Sequence, residues 1–248
     1  HALGNIKEIY TRIEDTAELD DGNIRVAAFA SFIAECQQKE TAHRFCKKPL
    51  EFIYTSNISA RIKKPNLFIT NLIEDLRSIR ATWEPPNQSA NGGFQTTGNL
   101  FRYSNRNVAT LKEIILNEID AYYEKFKNEH CSFIKKWPAE KNINGWHIIL
   151  KEKGYHNFHI HQEGWLSGVI YLKVVPSLTK NEGAITFNLA HSNKLHPDFP
   201  KIIHNPEVGD ILLFPSSLYH GTIPFYTETE RIVVSFDLMP GNSISAMN

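Results

Sequence analysis

The sequence predicts a mainly β fold, a sandwich or barrel, preceded by a helical N-terminal part. Three observations carry that expectation. Through about the first 95 residues, apolar side chains recur at helical intervals. From Trp146 onward the period changes, and short runs rich in β-branched and aromatic residues alternate with Gly, Pro and Asn. No helix-length segment separates those runs, so the crossovers of a parallel sheet cannot be fitted.

The elements follow in chain order. Residues 24–40 place Val26, Phe29, Phe32, Ile33 and Cys36 at helical spacing. Residues 66–80 do the same with Leu67, Phe68, Leu72, Ile73, Leu76 and Ile79, and Lys64-Pro65-Asn66 reads as a start signal with Asn66 as cap. Pro85-Pro86 ends the helical run, and the polar, Gly-containing stretch 87–99 reads as a loop. A further helix fits residues 107–128, where Val108, Leu111, Ile115, Ile119, Tyr122 and Phe126 make one apolar stripe suited to core packing. Strands are expected at Trp146–Leu150, Leu166–Val175, Ala184–Leu189, Asp210–Phe214 and Arg231–Leu238. The expected division is a helical segment over 1–95 and a β domain over 96–248.

Composition narrows the functional classes. The chain has 248 residues, 42% of them hydrophobic, enough for a sizeable core. Lys+Arg and Asp+Glu balance at 27 each, so no basic excess points to nucleic acid or to an anionic membrane surface. Cys36, Cys46 and Cys131 are odd in number and form no CxxC, which argues against a zinc ribbon or a dithiol redox pair and suits a cytoplasmic protein. No apolar run approaches the length of a membrane helix. His1-Ala2-Leu3-Gly4 lacks the charged-then-apolar order of a secretory signal, and the missing initial Met fits a piece of a longer protein.

The chemistry concentrates in the last third. Eight of the eleven histidines fall between His147 and His220. His161 and Glu163 are two apart, so in extended backbone both project to one side. With His220 they supply two imidazoles and one carboxylate, a set that occupies one face of an Fe(II) octahedron and leaves three positions open. His159 and His161 form a second pair at the same spacing, which would leave Glu163 outside; the facial-triad chemistry favours the set with the carboxylate. Arg231 follows His220 by eleven residues and begins a strand on which Val233 and Ser235 share its face. A guanidinium grips a carboxylate through two parallel hydrogen bonds, and the Ser235 and Tyr171 hydroxyls could add others. Two other readings of these residues are a cupin-type metal enzyme, with His159 as a fourth ligand, and a barrel that binds a small acid or a protein without turnover.

The run from His159 to Leu172, HIHQEGWLSGVIYL, resembles a bacterial branch of the Fe(II)/2-oxoglutarate-dependent oxygenases. So do Gly209-Asp210-Ile211-Leu212-Leu213-Phe214-Pro215, His220-Gly221 and Glu230-Arg231-Ile232, and so do the stretch 92–100 and Gly145-Trp146. The branch often carries tetratricopeptide helices upstream. Its ligand segment often reads His-x-His-Pro, and Gln162 stands here in place of the proline. The resemblance implies a double-stranded β-helix, a jelly roll with helices outside. It implies an enzyme that couples decarboxylation of 2-oxoglutarate to oxidation of a C–H bond, most simply a hydroxylase, with Fe(II), 2-oxoglutarate and O2. It matches His161, Glu163 and His220 to the metal, Arg231 to the co-substrate, and Ser235 and Tyr171 to its flanking hydroxyls. A protein side chain, an amino acid or a small metabolite are the expected substrate classes.

Overall fold

The computed structural model describes residues 5–176, 180–192 and 197–241. Helices α1 (Ile6–Thr16) and α2 (Ile24–Cys36) open the chain, followed by β1 (Tyr54–Asn57), α3 (Pro65–Arg77), β2 (Ala81–Trp83), β3 (Ala90–Thr96), α4 (Arg106–Phe126) and α5 (Ser132–Lys135). Seven strands complete it: β4 (Ile143–His156), β5 (Leu166–Lys173), β6 (Ile185–Asn188), β7 (Lys201–His204), β8 (Asp210–Pro215), β9 (Tyr219–Thr222) and β10 (Arg231–Leu238).

The three long helical patterns form where their periodicity places them. Asn23 caps α2 by accepting from the amides of Arg25 and Val26, and Asn105 caps α4 through Asn107 and Val108. Helix α3 starts differently from the expectation. Its cap position is Lys64 rather than Asn66, and Pro65 takes the first helical position, where its fixed φ fits and its missing N–H is not needed.

The stretch 87–99 is not simply a loop. Its centre is β3, paired antiparallel with β4 across a register shift between Asn91 and Gly93. Gly92 has φ +66°, and a Cβ on Gly93 would lie 2.7 Å from the Ile149 carbonyl oxygen. The two glycines therefore build a bulged strand pressed against its neighbour.

Strands β1-β8-β5-β10-β4-β3-β2 form a seven-stranded sheet, and β7-β6-β9 a three-stranded one. The sheet recruits β1, β2 and nearly all of β3 from before residue 96 and the rest from after it. Side-chain alternation divides the core into two layers. On β10, Ile232, Val234, Phe236 and Leu238 pack with Ile115, Ile119 and Tyr122 of α4 and with Leu72 and Leu76 of α3. Its other face contributes Val233 to a second cluster with Ile148, Val169, Phe214 and, from the small sheet, Ile185 and Phe187. The two sheets thus face each other as a jelly-roll core, with the helices outside the large sheet. Each fully buried Ile or Phe contributes about 1.5–3 kcal/mol. Among the described residues, no helix is long and apolar enough to cross a membrane.

Candidate metal and co-substrate site

The site forms where β4 ends and the chain crosses to the small sheet. His159 and His220 exchange backbone hydrogen bonds of 3.0 and 3.1 Å, and the His161 amide donates to the Ser216 carbonyl. His220 lies on strand β9, and its ring centroid is 4.3 Å from that of His159.

The Nδ1 atom of each imidazole faces an oxygen. His159 Nδ1 is 2.8 Å from the Asn157 carbonyl, His220 Nδ1 is 3.0 Å from the Leu218 carbonyl, and His161 Nδ1 is 2.5 Å from Asp237 Oδ1. Carbonyls and carboxylates accept, so the proton resides on Nδ1 and the Nε2 lone pair is free. The candidate ligand atoms of His159, His161 and His220 all lie within 4.8 Å of one another. His159 Nε2 and His161 Nε2 are 3.2 Å apart, a repulsive approach of two lone pairs unless a cation attracts both. Burial, and then the neighbouring His161, pushes His159 down to about 4, and burial holds His220 well below the ordinary histidine range. Both rings are neutral at neutral pH, which is the ligating form. This donor set fits a divalent metal that accepts imidazole.

The structure does not bring Glu163 into this group. Its side chain is 82% exposed and lies 3.7 Å from the Arg25 guanidinium, at the cavity rim. The two-residue alternation requires extended backbone, and residues 162–163 instead form a turn in which the Gly164 amide donates to the His161 carbonyl. The alternation does hold from His159 to His161, so the pair with two histidines is the one brought together.

Along β10, Arg231, Val233, Ser235 and Asp237 line one cavity of about 880 Å³, together with the three histidines and Tyr171. Arg231 is 2% exposed, and its guanidinium carbon lies 5.1 Å from the centre of the Tyr171 ring. Among the described residues no carboxylate pairs with it, and both its Nε and the Tyr171 hydroxyl are buried without a hydrogen-bond partner. A buried cation and a buried phenol left open make a receptor for an organic anion. Burial raises the Tyr171 pKa against the opposing effect of Arg231, so the hydroxyl keeps its proton to donate. Just outside, Arg77 and Lys151 both grip Glu230, holding it at about 2 and fixing the strand end that carries Arg231.

Residues 144–237 match the family described as "Putative 2OG-Fe(II) oxygenase". This stretch, which carries the three histidines and Arg231, is what the chain shares with that family. The family's description names Fe(II) and 2-oxoglutarate, in agreement with the cofactors expected from the sequence. The chain's fold recurs in solved structures at low identity. A Pseudomonas putida prolyl-4-hydroxylase superposes with a TM-score of 0.53 at 12% identity, over 75% of this chain and 91% of its own. HygX from Streptomyces hygroscopicus, with nickel and 2-oxoglutarate bound, gives 0.54 at 11%, over 79% and 87%. A Trichoplax adhaerens prolyl hydroxylase, in complex with a hypoxia inducible factor peptide fragment, gives 0.51 at 10%, over 88% and 90%. No curated protein sequence matches the chain.

Sequence reasoning passed over three side chains of this site. Asp237 continues the Arg231–Val233–Ser235 alternation by one more step, so the same strand argument reaches it. His156 belongs to the histidine-rich stretch but stands apart from any paired spacing. Ser89, whose hydroxyl lies 3.0 Å from His156 Nδ1 and 3.2 Å from His159 Nε2, comes from the stretch before β3, which nothing in the sequence ties to the site.

Proposed function

We propose that this oxygenase holds its iron on the Nε2 atoms of His159, His161 and His220, and the distal carboxylate of 2-oxoglutarate on Arg231. One observation carries the reading: the candidate ligand atoms of the three histidines lie within 4.8 Å of one another while each Nδ1 faces an oxygen, which leaves Nε2 to bind. Such outer partners fix ring orientation at metal sites. When bound, the iron couples O2 and decarboxylation of 2-oxoglutarate to hydroxylation of a substrate C–H bond.

The chain supplies the rest. Arg231 offers two parallel N–H donors to the far carboxylate, and Tyr171 adds its hydroxyl from the neighbouring strand. Ser235, two residues along, lines the same wall. Phe214 and Phe187 pack on the His220 ring, with centroids 4.6 and 6.2 Å away, and keep water from that side. The three ligands are neutral, so the negative charge near the iron comes from Asp237, through His161, and from the co-substrate. Gln88, Gln95 and Gln162 line the cavity around this centre and suit a polar substrate, whether a protein side chain, an amino acid or a small metabolite. Three free cysteines suit a reducing compartment such as the cytoplasm.

Metal titration tests the ligand set. His159→Ala, His161→Ala and His220→Ala should each lose tight Co(II) binding, while Glu163→Ala should keep it. Retention by the His159 variant together with loss by the Glu163 variant would restore the two-histidine, one-carboxylate triad. Arg231→Ala should weaken 2-oxoglutarate binding at least tenfold.

A further inference from the structure

Ser89 sits between two imidazoles with one proton to give. Its hydroxyl lies 3.0 Å from Nδ1 of His156 and 3.2 Å from Nε2 of His159. His159 Nδ1 is committed as a donor to the Asn157 carbonyl, so His159 Nε2 can only accept. With that lone pair free, the consistent arrangement is a chain: His156 Nδ1–H donates to Ser89 Oγ, and Ser89 O–H donates to His159 Nε2. His156 Nε2 is then a bare acceptor.

A cation on His159 Nε2 removes the acceptor at the end of the chain. The Ser89 hydroxyl must then turn to His156 Nδ1, and the His156 proton moves to Nε2 through solvent, with no net change in charge. His156 is 9% exposed and lines the cavity that holds Arg231, and among the described residues its Nε2 has no hydrogen-bond partner. Burial holds the ring's pKa well below the ordinary histidine range, so it is neutral and has a tautomer to select. Resting on the three-histidine reading above, we propose that His156 is a co-substrate-binding residue whose Nε2–H donates to the bound 2-oxo acid, and that Ser89 is the positioning residue that switches this donor on when the metal site fills.

The test uses the Zn(II)-loaded protein, which binds without turnover. Calorimetry gives the Kd of 2-oxoglutarate, and a separate Zn(II) titration gives the metal affinity. His156→Leu should weaken 2-oxoglutarate at least tenfold and leave Zn(II) affinity unchanged, because a donor to a charged group is lost. His156→Gln, whose amide nitrogen takes the place of Nε2, should recover most of that loss. Ser89→Ala should weaken the acid about fivefold in the wild-type background and have no effect in the Gln background, which has no tautomer to set. Long-range ¹H–¹⁵N spectra of histidine-labelled protein should show His156 passing from the Nδ1–H to the Nε2–H form on adding Zn(II) alone. An unchanged tautomer, or an equal Ser89→Ala effect in both backgrounds, overturns the switch; an unchanged Kd in His156→Leu overturns the contact. If Arg231→Ala loses the acid while His156→Leu does not, only the His156 assignment falls. If the wild type binds neither Zn(II) nor the acid, the metal reading itself falls with it.

Discussion

His147 should make the fold acid-sensitive independently of the metal site. It lies on the face of β4 that also carries Ile143 and Ile149 toward the helices, and it is 1% exposed. Among the described residues, neither ring nitrogen has a hydrogen-bond partner. Burial, and then the charge of Arg77, lowers its pKa from 6.5 to about 4. The unfolded chain takes up this proton near 6.5 and the folded chain only near 4. Stability from this group is therefore complete above pH 6.5 and is lost as the pH falls toward 4. At about 1.4 kcal/mol per pH unit, the full interval is worth about 3 kcal/mol, of which about 2 kcal/mol is gone by pH 5. His147→Leu removes the titration and the two unpaired nitrogens. Near neutrality it should be at least as stable as the wild type. Urea unfolding of both proteins at about pH 7.5 and about pH 5 measures the difference directly, since the other histidines titrate in both. The gap in favour of the variant should widen by about 2 kcal/mol at the lower pH. A gap that stays constant would show that the imidazole is solvated or paired, and the argument from its burial would fail.

Two further outcomes follow from other buried charges. The Glu118 carboxylate is fully buried and accepts from Arg61 Nε at 2.6 Å and from the Tyr54 hydroxyl at 3.2 Å. Arg61→Met should cost about 3 kcal/mol by denaturant unfolding, the low end for a broken buried pair because the arginine is partly exposed, and adding Glu118→Met should recover much of it. Asp237 accepts from both His161 and Ser167. Asp237→Leu should weaken Co(II) binding by about 10–100-fold in a titration, with a smaller loss for Asp237→Asn, which keeps an oxygen acceptor.

The parts of this molecule legible in the sequence are those governed by period. The apolar stripes of α2, α3 and α4 announce themselves because helix–sheet packing selects every third or fourth residue. The β5, β8 and β10 runs do so because both faces of the large sheet are covered. Strands β1, β2, β7 and β9 are three or four residues long, and polar stretches such as Tyr54–Asn57 become strands only because a partner, here β8, offers its edge. The candidate site divides along the same line. Arg231, Tyr171, His161 and His220 converge on one cavity because alternation places them there. Glu163 does not join them because two residues of turn intervene, and turn geometry over Gln162-Glu163 carries no periodic signal. Ser89 reaches the site from about 70 positions away through the fold alone.

Strand β10 explains why the two halves of the site hold together. Alternate residues of a strand are about 6.7 Å apart, so Arg231 and Asp237, three such steps from each other, sit about 20 Å apart along one face. That single strand carries Arg231, the proposed acid anchor, at one end and the carboxylate behind His161 at the other. Its pairing with β4 runs unbroken from Arg231↔Leu150 to Leu238↔Ile143, which fixes every intermediate residue to the cavity or to the helices. On the other side, the pairing with β5 shifts between Ile232 and Val233, one residue beyond Arg231. The irregularity leaves the alternation intact, since Arg231 and Val233 still line the same cavity. A slip of one residue along the whole strand would instead send Arg231, Ser235 and Asp237 together into the helix-side core and bring Ile232 and Val234 into the cavity. The apolar layer of Ile232, Val234, Phe236 and Leu238 against α4 is what opposes that slip, so the packing on the outer face of the sheet sets the register of the chemistry on the inner one.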